Sequence, residues 1–226
     1  MTFLDMLIRL KQETGVAGPD PTTVIGQTKT IGRLVNWLVQ SWVEIQQDHP
    51  DFDFLRKPVS FNTEANKQSY TPAEAGLTDF ASWRNDSFRL YLTSAGVGTE
   101  IFLTHWPTYS DFRDYYLYST RRTVTNRPTD ITIAPDRSLV FGFTPNDIYT
   151  VSGEYFRAPQ VLAADADIPI MPDRFHMAIV YKAMIKYGTF EVANEQIVAG
   201  REGYNGLLNR LLIDQLPQIQ MGASLI

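Results

Sequence analysis

The residue types that most often carry catalysis or bind metals are sparse and scattered in this chain. Its three histidines, His49, His105 and His176, lie in different segments, and no two of them have the HxH or HxxxH spacing that places imidazoles on one metal. The chain has no Cys, so disulfides, thiolate metal sites and a cysteine nucleophile are excluded. For His176, which falls in a predicted helix, a hydrogen-bonded position at a helix interface is the favoured interpretation.

Two pairs of carboxylates come closest to a metal motif. Asp51-Phe52-Asp53 and Asp165-Ala166-Asp167 each place two carboxylates on one side of an extended segment, which suits a divalent cation. Neither segment has the third ligand, the Gly and the terminal Glu of an EF-hand loop, so solvated loop charge is favoured and we predict no metal and no cofactor. A general acid and base pair of carboxylates stays open, because its separation is set in space rather than in sequence.

Fingerprints of nucleophilic catalysis and of nucleotide binding are missing as well. GxSxG, GxGxxG and GxxxxGK[ST] do not occur, and Gly96-Val97-Gly98 lacks a following helix whose N-terminus would hold phosphate. Three arginines, Arg121, Arg122 and Arg127, lie close together, but the net charge is -5. Because affinity for nucleic acid depends largely on clustered Lys and Arg, the sequence predicts a poor general binder of DNA.

Aromatic residues are concentrated in one stretch, where seven rings fall between Phe102 and Tyr118. A small local core is the favoured interpretation. A contact with another protein chain is second, because arginines alternate with the rings in a way that buried cores avoid. The candidate contact residues are Trp106, Tyr109, Phe112, Arg113, Tyr116, Arg121 and Arg122.

The last twelve residues, QLPQIQMGASLI, carry no charged side chain. A solvated disordered tail usually has more charge, and Pro and Gly within the segment discourage a helix. We therefore predict an extended arm that docks on a partner, with a frayed end or a segment folded back on its own domain as the alternatives. The candidate docking residues are Gln215, Leu216, Pro217, Ile219, Met221, Leu225 and Ile226.

The elements that must position these residues are read from hydrophobic periodicity. The composition, with 44% hydrophobic and 20% charged residues, is that of a globular protein, and no apolar run approaches the roughly 20 residues that cross a bilayer. Charged residues within the first eleven positions make a secretory signal unexpected. Apolar spacing of 3.6 predicts helices before Gly15, between Ile31 and Pro50, from Pro172 to a break at Gly188, and from Glu191 onward.

Between these helices the period changes to two, which predicts strands. We expect one hairpin that joins Val59–Phe61 to Tyr70, a second across Gly96 and Gly98, and a third across Pro145-Asn146-Asp147, with a short helix near 107–118. Helices segregated from strands indicate an α+β fold. Residues 1–56 and 158–214 are predicted to form one helical bundle, with 57–157 as an antiparallel β-sheet or sandwich insertion and 215–226 as the arm.

This layout resembles the head-to-tail adaptor (connector) proteins of tailed bacteriophages, including the tail-tubular-protein type. The resemblance is carried by the N-terminal helix TFLDMLIRLKQETG, the connector ending VIGQT, and the second helix RLVNWLVQSWVEIQ. IYTVSGEYFRAP at the end of the β insertion and IPIMPDRFHMAIVYKAM at the start of the C-terminal helices complete it. The resemblance spans nearly the whole chain and rests on fold patterns rather than on catalytic signatures.

The resemblance implies a structural virion protein at the head-to-tail interface, assembled in the host cytoplasm, and no enzyme. Such adaptors form a ring, typically of twelve copies, beneath the portal protein, with the helices toward the portal, the β part toward a tail or nozzle protein, and DNA passing through the lumen. No membrane is implied. A tail terminator or tail-completion ring is the structural alternative, and a carboxylate-dependent hydrolase or a carbohydrate-binding module is the alternative from another class.

Overall fold

A computed structural model describes residues 1–216 of the chain. These residues divide into a helical unit, Met1–Leu55 with the chain from Pro159 onward, and a β unit, Arg56–Ala158. The α-helices of the described part are α1 (Phe3–Thr14), α2 (Lys29–Asp48), α3 (Tyr109–Phe112), α4 (Met177–Glu191) and α5 (Asn194–Gln215). Among residues 1–216, no helix combines the length and the apolar character needed to cross a membrane.

Helix α1 is bounded by strong local signals. Thr2 and Asp5 form a reciprocal capping box at its start, and Gly15 ends it in the left-handed conformation, with φ of 66°. One face of α1 is buried together with the apolar stripe of α2, which includes Leu34 and Trp42. Both helices contact α4, so the periodic faces read from the sequence meet in one core.

Helix α4 lies among the other three helices of the helical unit and contacts α1, α2 and α5. Its pairing with α5 is close because glycines lie between the two backbones. A Cβ on Gly188 would lie 2.8 Å from Ile197 Cγ1, and one on Gly203 would lie 2.7 Å from the Tyr181 ring. The glycines therefore serve a close helix approach, and the predicted break at Gly188 is wrong because α4 continues to Glu191.

The β unit contains eleven short strands. They are β1 (Arg56–Asn62), β2 (Ser69–Tyr70), β3 (Phe80–Trp83), β4 (Arg89–Leu92), β5 (Ile101–Phe102), β6 (Thr104–His105), β7 (Thr125–Asn126), β8 (Asp130–Ile133), β9 (Leu139–Phe141), β10 (Thr144–Pro145) and β11 (Tyr149–Arg157). One sheet has the order β1-β11-β4-β5, with β3 also paired to β11 across a register shift between Phe156 and Arg157. A second sheet has the order β2-β9-β8-β6.

Side chains from both sheets meet in one apolar core. Leu90 and Val151 come from the first sheet, Ile131 and Phe141 from the second, and all four are fully buried. This arrangement confirms the α+β class, and along β1 the residues alternate between the core and the opposite face of the sheet. The pairing is antiparallel throughout except for two short parallel pairs, β6 with β8 and β7 with β10.

Two of the three predicted hairpins are wrong. β1 pairs with β11 and not with β2, which pairs instead with β9, where Tyr70 lies opposite Leu139. β9 and β11 belong to different sheets although only a short connection separates them. The second hairpin is confirmed, because β4 and β5 pair antiparallel, with Leu90 opposite Ile101.

Candidate interaction surfaces

The aromatic stretch folds into a short helical segment that follows β6. Helix α3 continues directly into a π-helical turn, Arg113–Leu117, and then into a 3-10 segment, Ser119–Thr123. Consecutive residues of a helix project about 100° apart, so neighbours can face different environments. Tyr115 and Tyr116 show this, because Tyr116 is buried whereas 43% of Tyr115 is exposed.

The inward-facing residues of the stretch form a small core around one carboxylate. Trp106 Nε1 donates to Asp130 Oδ1 at 2.9 Å, and the Tyr116 hydroxyl donates to Asp130 Oδ2 at 2.9 Å. Burial and the hydrogen bond to Asp130 raise the pKa of Tyr116. Phe112 is fully buried, with its ring centroid 4.9 Å from that of Tyr116. For these residues the structure supports the local-core interpretation.

The outward-facing residues form what we call the basic aromatic surface. Its members are exposed, and they are Tyr115, Tyr118, Arg121, Arg122 and Val124. The Arg121 guanidinium lies 3.7 Å from the centroid of the Tyr115 ring, a cation–π contact that fixes both side chains. Within residues 1–216, neither Arg121 nor Arg122 has a carboxylate partner.

The predicted contact residues are therefore divided by the fold. Phe112 and Tyr116 lie beneath the surface, Trp106 and Tyr109 are half-buried, and Arg121 and Arg122 are exposed. Arg113 is half-buried: it pairs with Asp114 at 2.9 Å, and its guanidinium lies 5.3 Å from the centroid of the Tyr118 ring. Tyr118, which lies within the aromatic stretch, and Val124 join the surface although neither was a candidate.

Most of the predicted docking arm lies outside the described residues, which is true of Pro217, Ile219, Met221, Leu225 and Ile226. Gln215, predicted to begin the extended arm, is instead the last residue of α5. The helix continues to it because Leu216 N still donates to Leu212 O at 3.1 Å. Leu216 then takes an extended conformation, with φ of -95° and ψ of 147°.

Helix α5 carries a second surface that the sequence interpretation missed. On the side turned away from α4, residues spaced by three or four positions are all exposed, and we call them the α5 open face: Glu195, Val198, Glu202, Gly206, Asn209 and Ile213. Val198 is 56% exposed and Ile213 is 76% exposed. The signal in the sequence is their helical spacing, which the mixture of acidic, small and apolar residue types conceals.

A shallow cleft of about 580 Å³ lies beside the end of α5, and an ion pair between Arg174 and Asp214 borders it. Its remaining lining residues are Phe175, Leu207, Arg210 and Ile213. The cleft extends the α5 open face at Ile213, so the exposed surface of α5 reaches from its first turn to its last.

Asp165, Asp167 and His176, which were considered for chemistry, have structural partners. Asp165 Oδ1 accepts from Val24 N at 2.6 Å, and Asp167 Oδ2 accepts from Ala163 N at 2.7 Å, so this pair organises loops. His176 is fully buried and hydrogen-bonded to Met171 O at 2.8 Å, as predicted, and burial lowers its pKa. Within residues 1–216, no three His, Asp or Glu side chains are grouped to hold a metal ion.

The described residues carry exposed apolar and charged surfaces, one of which runs along the whole of α5, and such surfaces are typical of proteins that bind other protein chains. The family model described as SU10 adaptor protein matches residues 1–224, and the chain therefore belongs to this family of phage head-to-tail adaptors. No curated protein matches the chain. The protein is accordingly a bacteriophage adaptor and a virion component that assembles with portal and tail proteins.

Proposed function

We propose that this adaptor forms a closed ring, of twelve copies, between the portal and the tail of its phage, with DNA passing through the lumen. The observation that carries the proposal is the α5 open face. A 22-residue helix that buries only Gly200 and Leu211 is incompletely covered in a single chain. Assembly with further chains would cover it, and a closed ring repeats one heterologous contact at every junction.

The charge distribution supports passage of DNA rather than a grip on it. The helical unit has 9 Lys and Arg against 14 Asp and Glu, whereas the β unit has 11 of each. The whole excess of negative charge thus belongs to the helical unit. An acidic wall repels phosphates and keeps the genome from adhering, since adhesion requires clustered cations.

We further propose that the helical unit is directed toward the portal and that residues 215–226 dock on it, while the β unit contacts a tail or nozzle protein. α5 ends at Gln215, so the uncharged residues after it continue directly from the end of a long helix. Apolar extended segments bind well in grooves of a partner, because little charge must be desolvated. This function requires no catalytic step and no cofactor.

The arm is tested by deletion of residues 217–226, which leaves α5 intact. The deleted chain should keep the melting temperature of the parent and lose binding to the portal, measured by co-sedimentation. A full-length control in which Ile219, Met221, Leu225 and Ile226 are replaced by Ser should lose binding as well. Undiminished portal binding by both variants would refute the docking arm.

The ring is tested by imaging the chain alone, with its portal and with its tail proteins. Twelvefold rings on the portal are expected. Rings that form only on the tail tube would identify a tail terminator or completion protein instead. Glycan binding or cleavage that is lost when Trp106 and Tyr109 are changed to Ala would favour the hydrolase or carbohydrate-binding alternative.

A further inference from the structure

We propose that neighbouring copies in the ring are joined by docking the basic aromatic surface of one copy on the α5 open face of the next. This inference rests on the proposed ring and names its contact. Each copy would contact one neighbour through its basic aromatic surface and the other neighbour through its α5 open face. Such a contact joins two different surfaces, so it is heterologous and can repeat around a ring.

The first argument is that the α5 open face is not explained within one chain. Gly in a helix costs about 1 kcal/mol relative to Ala. Gly200 and Gly203 are explained by α4, since an added Cβ would meet Ile185 and Tyr181 within 3 Å. A Cβ on Gly206 would meet no atom within 4 Å, although the residue lies in the middle of the exposed face. A second chain that approaches α5 closely would account for a glycine at position 206, just as the approach of α4 accounts for Gly200 and Gly203.

The second argument is charge. Glu195 and Glu202 lie two turns apart on the α5 open face, and within residues 1–216 neither has an ion-pair partner. Val198 lies between them, so two carboxylates flank an exposed apolar centre. Arg201 and Arg210 are also exposed on α5, but neither is among the residues that line the surface around Val198, which are Asn194, Glu195, Val198, Ala199 and Glu202. The face therefore favours a partner that presents cations together with apolar groups.

The β unit of the same chain carries the complementary set. Arg121 and Arg122 lack carboxylate partners among the described residues, and the exposed rings of Tyr115 and Tyr118 lie beside them. Arg and Tyr are enriched at the centres of interfaces, where a ring supplies contact area and a stacked guanidinium loses little freedom on binding. DNA could neutralise the arginines, but it would leave the acidic α5 open face unexplained. A second copy accounts for both surfaces.

Cross-linking gives the most direct test, because the chain contains no Cys and introduced thiols have no competitors. A chain with Arg122→Cys and Glu202→Cys should give a ladder of disulfide-linked dimers, trimers and larger species under mild oxidation. Each variant with a single Cys should form no disulfide-linked species larger than a dimer, because one thiol can make only one disulfide. The matched control, Asp51→Cys with Asp86→Cys, places two thiols at exposed positions outside both surfaces and should give no ladder.

Charge reversal tests the same contact without a covalent bond. Arg121→Glu with Arg122→Glu, and separately Glu195→Lys with Glu202→Lys, should each weaken self-association about tenfold or more, measured by sedimentation velocity. An equimolar mixture of the two variants should restore self-association. In the mixture, the new glutamates of one variant face the new lysines of the other, and the unchanged surfaces of the two variants meet at the next junction. Asp51→Lys with Asp86→Lys makes the same change in net charge as Glu195→Lys with Glu202→Lys and should leave association unaltered.

A last variant separates association from folding. Gly206→Gln should raise the stability of the isolated chain, because Gln favours a helix and nothing fills the space. The same side chain should weaken association about tenfold by obstructing the approach of a neighbour. Loss of association in this variant cannot be ascribed to unfolding.

The outcomes separate the contact from the ring. Parent rings with no cross-linked ladder and no effect of charge reversal would overturn the contact and leave the ring standing. Loss of portal or tail binding with unchanged self-association would assign the surfaces to that partner and overturn the contact as well. A parent chain that never self-associates, alone or on a portal, would refute both the ring and the contact.

Discussion

The close approach of α4 and α5 can be tested by adding one methyl group at two glycines of the same helix. We consider Gly206→Ala and Gly200→Ala, which have the same intrinsic gain in helix propensity, about 1 kcal/mol. At Gly206 the added Cβ meets nothing within 4 Å, so the full gain should appear in the free energy of unfolding. At Gly200 the Cβ would lie 2.9 Å from Ile185 Cγ1 and 3.1 Å from the carbonyl oxygen of Tyr181.

The backbone oxygen of Tyr181 cannot move aside without shifting α4, so overpacking should cost about 1 to 3 kcal/mol at Gly200 and exceed the gain. We therefore expect Gly206→Ala to stabilise by about 1 kcal/mol and Gly200→Ala to be neutral or destabilising by up to about 2 kcal/mol. The melting temperature of Gly206→Ala should rise by a few degrees, whereas that of Gly200→Ala should stay unchanged or fall by a few degrees.

The measurement is thermal and denaturant unfolding followed by circular dichroism. Protein concentrations should lie below those at which copies associate, because association adds to apparent stability. Each variant is the control for the other, since both lose the same unfolded-state freedom of Gly. Equal stabilisation by the two substitutions would show that α5 is not held against α4 at this distance.

Three further predictions concern single hydrogen bonds and one titration. Tyr116→Phe should destabilise the β unit by about 1 to 3 kcal/mol in denaturant unfolding, because it removes the hydrogen bond to the Asp130 carboxylate, and an unchanged midpoint would contradict that role. The buried Tyr155 has its pKa raised to about 12 by burial and a hydrogen bond. Its contribution to stability should be complete below pH 10 and lost as the pH rises to 12, and unfolding of Tyr155→Phe should lack that part of the pH dependence. Thr2→Ala should cost about 1 kcal/mol by removing the capping box, and Asp5→Ala should add little to it in the double variant if the two act together.

The elements that could be predicted from the sequence are those with local causes. Gly15 ends α1 because only a residue that tolerates positive φ fits there, and the apolar spacing of α2 continues without interruption to its buried residues. Strand pairing has no such local cause. β11 pairs with β1, β3 and β4, which are far from it in sequence, and the alternation of apolar residues fixes which face is buried but not which strand is the neighbour.

The candidate surfaces illustrate a similar limit. In the aromatic stretch, helical spacing places Phe112 and Tyr116 on one side, and both are buried, but the spacing does not indicate that the opposite side with Tyr115 is left exposed. On α5 the strongest apolar pattern pointed to the side that faces α4. The open side was concealed because the exposure of Val198 and Ile213 is decided by the absence of a packing element among the described residues, not by their residue types.

The two ends of the β unit have an evolutionary consequence. Arg56 on β1 lies directly opposite Phe156 on β11, so the chain leaves and returns through neighbouring hydrogen-bonded strands. For the folding of the helical unit, the segment from Arg56 to Ala158 acts as one loop whose two ends are held together by the pairing of β1 with β11. The conformational entropy lost when this loop closes depends little on what the loop contains. If, as proposed, the β unit contacts the tail, recombination at these two points would replace one β unit by another without altering the helices, and a phage lineage would acquire a different tail while it keeps its head.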